Sequence, residues 1–226
     1  ILGTKDNLVT LGALDNTWRG IHLYNHEKNN LKNAKVSNTF PKEIDYFRTG
    51  GISIIGGVVD VENLTIENNG FEDAVNLVDV VFSITNLNIS HTTSDAIDID
   101  NGEGILTSSS FFCVGTGVEG GDAIDVSFTN TNLINTDIVK VADKAISIGE
   151  NSTVEIKNIN INHATSALAV KDGSQVNISD DLAIENSIYD ILGFVKKDEF
   201  KPPTIKFSNI KNSEKFKVQI SENTIT

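Results

Sequence analysis

One phrase occurs twice between Ser94 and Val126: Asp95-Ala96-Ile97-Asp98-Ile99, then Asp122-Ala123-Ile124-Asp125-Val126. Weaker copies stand before it at Asp73-Ala74-Val75-Asn76-Leu77, and after it at Lys144-Ala145-Ile146-Ser147-Ile148 and Ser166-Ala167-Leu168-Ala169-Val170. The starts are separated by 22, 27, 22 and 22 residues. A period in this range confines the chain to stacked architectures, because one unit of that length cannot bury its own apolar face and must borrow its neighbours.

Each copy alternates at period two, so Ile97 and Ile99, Ile124 and Val126, and Ile146 and Ile148 face one way while Asp98, Asp125 and Ser147 face the other. The unit is therefore a strand. A second phrase, apolar-x-apolar-x-Asn-apolar, recurs at Val59–Leu64, Phe82–Leu87 and Val154–Ile159, with weaker forms at Val126–Asn130, Val176–Asp180 and Ile205–Asn209. Several short strands per period, with no helical stretch long enough to cross between them, predict an all-β chain. The fold class expected is a single-stranded right-handed parallel β-helix (solenoid) of about 8 coils, each roughly 22 residues and rising about 4.8 Å. Isoleucine (28) outnumbers leucine (14), and asparagine reaches 26, which suits β-branched packing between turns that need unusual backbone angles.

The Trp18-Arg19-Gly20-Ile21 phrase, the Gly-Gly-Ile-Ser-Ile opening at Gly50, the stacked Asp-Ala-Ile-Asp phrases and the later DKAISIGENS and VKDGSQVNIS phrases carry a resemblance. Over roughly residues 12–212 the chain resembles the right-handed β-helix repeat regions of secreted bacterial proteins, including those appended to spore-coat-H-like modules. Pectate lyases and polygalacturonases share that superfamily. The resemblance implies a secreted or cell-surface location and polysaccharide or a cell-surface glycan as partner; fold alone does not imply activity.

In chain order, residues 1–17 read as an incomplete first coil. Trp18 reads as a cap over the end of the core, with a sugar-stacking ring as the alternative. A protruding loop is expected over 37–49, where Tyr46, Phe47 and Arg48 give it aromatic and cationic character; Tyr46 and Arg48 are substrate-binding candidates. A surplus of five residues falls within Gly102–Gly121. Residues 193–203 read as a charged loop, and 204–226 as a C-terminal coil and edge. The whole, 1–226, reads as one domain excised from a longer protein, whose remaining domains would be partners.

A net charge of −13 with only two arginines, Arg19 and Arg48, argues against nucleic acid, and no run of residues is apolar enough for membrane insertion. Cys113 stands alone between Phe112 and Val114 and reads as a buried inert thiol.

The period converts directly into spatial neighbours. The fourth places of the phrase form the row His22, Ser53, Asn76, Asp98, Asp125, Ser147, Ala169, and the first places the row Asp73, Asp95, Asp122, Lys144. Asp100 falls beside Ser127 and Lys171. Carboxylates so close cannot all ionise without cost; one retains its proton or a cation binds. Asp98, Asp100, Asp122 and Asp125 are thus substrate-binding candidates, and Asp95, Asp98, Asp122 and Asp125 candidate ligands for calcium. Asp95 and Asp122, each just before a strand, have a scaffold alternative as acceptors of backbone amides. Asn63, Asn86, Asn130, Asn158 and Asn209 are expected to ladder along the axis at a bend.

The polygalacturonase pattern is not met: the one Asp-Asp is Asp180-Asp181, and neither His-Gly nor Arg-x-Lys occurs. For a lyase, Lys144 or Lys171 would be the base beside Asp125. Three functions follow: an extracellular module contacting polysaccharide or a surface through the acidic face, a polysaccharide lyase or glycoside hydrolase acting on an acidic glycan, and a structural spacer or adhesion stalk.

Overall fold

The structure, a computed structural model, describes residues 1–13, 18–24, 27–41, 49–117, 120–208 and 216–221. Among them are seventeen strands and no helix: β1 Val9–Gly12, β2 Ile21–Tyr24, β3 Lys28–Thr39, β4 Gly50–Asn69, β5 Asp73–Thr92, β6 Asp95–Asp100, β7 Glu103–Thr107, β8 Ser110–Val114, β9 Ile124–Ser127, β10 Asn130–Val141, β11 Lys144–Gly149, β12 Thr153–Asn162, β13 Ser166–Lys171, β14 Gln175–Glu185, β15 Tyr189–Phe194, β16 Thr204–Ser208 and β17 Val218–Ser221. Every strand-to-strand pairing is parallel, each strand lying against its counterpart one period on, so the chain winds as a β-solenoid of about eight turns. No helix long and apolar enough to cross a membrane occurs among the described residues.

Three faces make up each coil. The first carries the repeated phrase, in β2, the starts of β4 and β5, then β6, β9, β11, β13, β15 and β17. The second runs through β7 and β16 and the first halves of β10, β12 and β14; the third runs through β8 and their second halves. Long strands such as β4 and β5 turn from the second face to the third at a single residue with left-handed backbone. That corner is occupied in successive coils by Asn33, Asn63, Asn86, Ser108, Asn135, Asn158 and Asp180, all at φ between 49° and 61°.

Asparagine suits this corner for two reasons. It tolerates left-handed backbone better than other side chains bearing a Cβ, and its amide bonds to the amide one coil away. Asn63 donates to Asn33 (2.9 Å), Asn86 to Asn63 (2.7 Å) and Asn158 to Asn135 (3.1 Å). The ladder is thus scaffold, with one correction: Asn130 is not on it. It stands in the outward row of the second face, paired with Glu103 and Thr153, and Asn135 holds the corner. Asn209 lies outside the described residues.

The inward rows interlock into one core. Ile97, Ile99, Ile124, Val126, Ile146 and Ile148 are fully buried and stack directly, closed from the other faces by Leu87, Leu106, Leu133, Ile138 and Phe111. Each such side chain contributes about 1.5–3 kcal/mol by leaving water. Trp18 packs against the end of this core and donates its indole N–H to the Ser37 carbonyl at 2.9 Å, as a cap would.

Several boundaries differ from expectation. The loop expected from residue 37 begins later, because β3 runs on to Thr39, with Ser37 and Thr39 in register with Glu67 and Asn69. Residues 42–48, with Tyr46 and Arg48, lie outside the described residues. Gly193 and Phe194 still belong to β15, so the charged loop starts after them. The surplus residues fall at 115–121: Gly115 has φ +74°, and a Cβ on Gly121 would collide with the Ser94 backbone. Cys113 is half-buried rather than buried, since it occupies a left-handed corner (φ 53°) where its side chain leaves the core.

Candidate functional site

The outward side of the first face carries the carboxyls. The fourth-place row is fully realised: His22 pairs with Ser53, Ser53 with Asn76, Asn76 with Asp98, Asp98 with Asp125, Asp125 with Ser147 and Ser147 with Ala169. The first-place row pairs Asp73 with Asp95 and carries on through Asp122 to Lys144 by hydrogen bonds. Asp100 pairs with Val78 on one side and Ser127 on the other. Lys171 is not beside Ser127; Gly149 intervenes, and Lys171 reaches over that glycine to donate to Ser147 Oγ at 2.8 Å.

The two rows do different work. Asp95 Oδ1 accepts the Asp122 amide at 2.8 Å, and Asp122 Oδ1 accepts the Lys144 amide at 2.9 Å. These first-place carboxyls therefore tie coil to coil through the turn, as Asp before a strand is suited to do. The Lys144 ammonium lies 3.2 Å from Asp122 and 2.5 Å from Asp143. Burial would lower the Lys144 pKa, but Asp122 and Asp143 outweigh it and raise it, so Lys144 is held charged. Burial pushes the Asp122 carboxyl up, against the pull of Lys144.

Asp98 and Asp125 are freer. Asp98 accepts one long bond from Asn76 Nδ2 (3.4 Å), and Asp125 Oδ1 is buried without a partner among the described residues. Burial first, then the charges of Asp73, Asp100, Asp125 and Asp95, push the Asp98 carboxyl up to about 9. Burial and Asp95 push Asp73 up to about 8, while burial lifts Asp95 to about 7 against the Asp122 amide that stabilises its anion. Asp100 is raised by burial and by Asp125 and Glu150. Asp73 and Asp98 therefore keep their protons at neutral pH, able to donate as well as accept hydrogen bonds.

The corner of this face at Glu150 and Asp172 is flanked by the loop after β15. Asp172 Oδ1 accepts the amides of Lys196 (2.6 Å) and Lys197 (2.9 Å), and the Lys197 ammonium lies 2.5 Å from Glu150. Ser127 donates to the other oxygen of Glu150. Burial would raise Glu150, but Lys197 and Ser127 outweigh it and lower its pKa. Sequence reasoning missed Glu150, Asp172 and Lys197. For Glu150 and Asp172 the signal was the run of turn residues after β11 and β13, which the period marks as equivalent corners.

Among the described residues no three of His, Cys, Asp and Glu come together in a grouping able to hold a metal ion. Of the proposed calcium ligands, Asp95 and Asp122 each have Oδ1 bonded to a backbone amide. Comparison of the chain with protein-family models, curated proteins and solved structures finds no match.

Proposed function

We propose that the protein is a non-catalytic, extracellular β-helix module that contacts polysaccharide through the outward side of the first face, as a member of the pectate-lyase-like superfamily that its repeats resemble. The observation that supports this most is the in-register pair Asp98 and Asp125, both half-buried, with Asp100 alongside. The pair sets hydrogen-bonding groups at single-coil spacing, between the buried Asn76 and Ser147 of the same row. Carboxyls that keep their protons suit the hydroxyls of a neutral sugar, offering both donor and acceptor without the cost of pairing a buried charge.

The alternative, a lyase or glycoside hydrolase on an acidic glycan, draws on one observation: Asp98 and Asp125 face outward from adjacent strands, one of them with a raised pKa, as an acid and its partner would. Its proposed bases fit poorly. Lys144 is held charged by two carboxylates, and Lys171 is 6% exposed and committed to Ser147. Calcium belongs to that alternative, where it would bridge acidic face and acidic glycan.

Incubation with neutral and acidic polysaccharides, with and without chelator, separates these readings by retention and by product formation. The expected result is retention on a neutral polysaccharide, unchanged by chelator and without products, and at least tenfold weaker for Asp98→Ala with Asp125→Ala, which removes donor and acceptor together. Chelator-sensitive release of unsaturated or reducing ends would establish the enzyme instead. No retention on any polysaccharide would leave the spacer.

A further inference from the structure

We infer that the corner between the first and second faces, at Asp79, Asn101 and Phe128, is a sugar-ring subsite for a neutral polysaccharide chain; this rests on the polysaccharide reading above and extends it. In successive coils this corner is held by Gly56, Asp79, Asn101, Phe128 and Glu150, each with left-handed backbone. Gly, Asp and Asn are the residues that tolerate such angles. Phe is not: a bulky side chain at φ +51° is an outlier. His91, Lys140, Glu150 and His163 share such angles, so the strain marks Phe128 only together with its exposure and the cavity beside it.

Phe128 is also 55% exposed. One flank of its ring meets Phe200, with centroids 6.1 Å apart, but the ring is not covered by that contact. Beside it opens a cavity of about 320 Å³ lined by Asp79, Val81, Asn101, Glu103, Phe128 and Asn130, among others. That volume lies at the small end of the range for ligand pockets, roughly 300–1,000 Å³.

Its chemistry is that of a pyranose clamp. The exposed Phe128 ring and the Val81 side chain supply apolar surface for the C–H face of a sugar. Asn101 Nδ2 donates to Asp79 Oδ1, which fixes an amide beside a carboxylate and leaves acceptors and a donor for adjacent hydroxyls. Glu103 and Asn130, opposite each other on β7 and β10, are exposed and bond no other described side chain. No residue lining the cavity is cationic, so an acidic sugar finds Asp79 and Glu103 with no counter-charge.

The place in the fold matters as well. Asn101 follows Asp100 and Phe128 follows Ser127, so the subsite continues the acidic face over its edge. From Asp95 to Asn101 a strand spans about 20 Å, the length of roughly four sugar rings laid along it.

Phe128→Asn tests this, because structure and function predict opposite signs. Asn restores a side chain that the corner favours, so the variant should melt higher than the parent. Its retardation in affinity electrophoresis through neutral glucan, mannan, xylan or galactan should weaken about tenfold, the scale of one aromatic contact. Phe128→Tyr should keep retention, and Phe200→Ala, which removes only the flanking ring, should too.

Unchanged retention of Phe128→Asn alongside loss in Asp98→Ala with Asp125→Ala would overturn the subsite and leave the polysaccharide reading standing. Absence of retention for the parent on every polysaccharide would overturn both. Retention on polygalacturonate alone would overturn the neutral class. Loss of both stability and retention in Phe128→Asn and Phe200→Ala alike would make Phe128 a loop anchor. Binding of a lysine-rich peptide that fades with added salt, without glycan retention, would assign the corner to a basic peptide instead.

Discussion

Ile124→Asp is expected to unfold the chain at neutral pH or lower its melting temperature by well over ten degrees. Ile124 is fully buried in the first face, directly between Ile97 and Ile146 of the neighbouring coils. The substitution removes about 1.5–3 kcal/mol of burial and leaves a carboxyl with no partner, at a further cost of several kcal/mol. Together these approach the whole stability of an ordinary domain, about 5–15 kcal/mol. Neighbouring coils cannot dilute the damage, because each is stabilised chiefly by the contacts on either side of it. Thermal and urea melts followed by circular dichroism measure the effect, with Asp125→Asn, next in the same strand but facing out, as the control. A midpoint like that of the parent would mean that Ile124 faces water and the register is wrong.

The first face was legible because the Asp-Ala-Ile-Asp phrase carries two signals at once. Alternation fixes which side faces the core, and the repeat fixes which residues are neighbours, so the row from His22 to Ala169 follows without coordinates. The corners were less legible. A left-handed corner can be read when Asn occupies it, as at Asn63 and Asn86, but not when it holds Phe128, Lys140 or Cys113. Asn130 was misplaced for that reason: the pattern Val126–Asn130 matches the strand-then-Asn phrase, yet it spans the corner at Phe128 and ends on the next face.

Lys171 was set beside Asp100 and Ser127 through a different fault, the passing over of Gly149, which the 22-residue spacing puts between Ser127 and Lys171. A long side chain that folds back over Gly149 comes to rest beside Ser147, and strand spacing says nothing of that. The contact of Lys197 with Glu150 was invisible for a related reason, since Lys197 arrives from a loop outside the repeat.

The protein is expected to lose stability as the pH rises from about 4 to about 9, the reverse of the usual behaviour of carboxylates. Asp73, Asp95 and Asp98 have folded-state pKa values of about 8, 7 and 9, all raised by burial and, for Asp73 and Asp98, next by neighbouring acids. In the unfolded chain these groups titrate near 3.9. Between those limits the folded state binds more protons than the unfolded one, so its advantage is fully present below the unfolded value and disappears as the pH passes the folded ones. A tenfold difference in proton affinity between folded and unfolded chain corresponds to about 1.4 kcal/mol. The three groups share one set of repulsions, so the loss is a few kcal/mol in total rather than a sum over residues. Glu150, with its pKa lowered by Lys197 and Ser127, acts in the opposite sense and erodes stability at strongly acid pH. The melting temperature should therefore peak near pH 4–5 and fall toward pH 9. Asp98→Asn with Asp125→Asn removes two of the interacting carboxyls at nearly constant shape. It should flatten the alkaline limb and raise the midpoint at pH 9 above that of the parent. A parent whose midpoint holds steady or climbs from pH 5 to pH 9 would show that these carboxyls ionise freely in the folded state. The proton-bearing face on which neutral-sugar contact depends would then not exist.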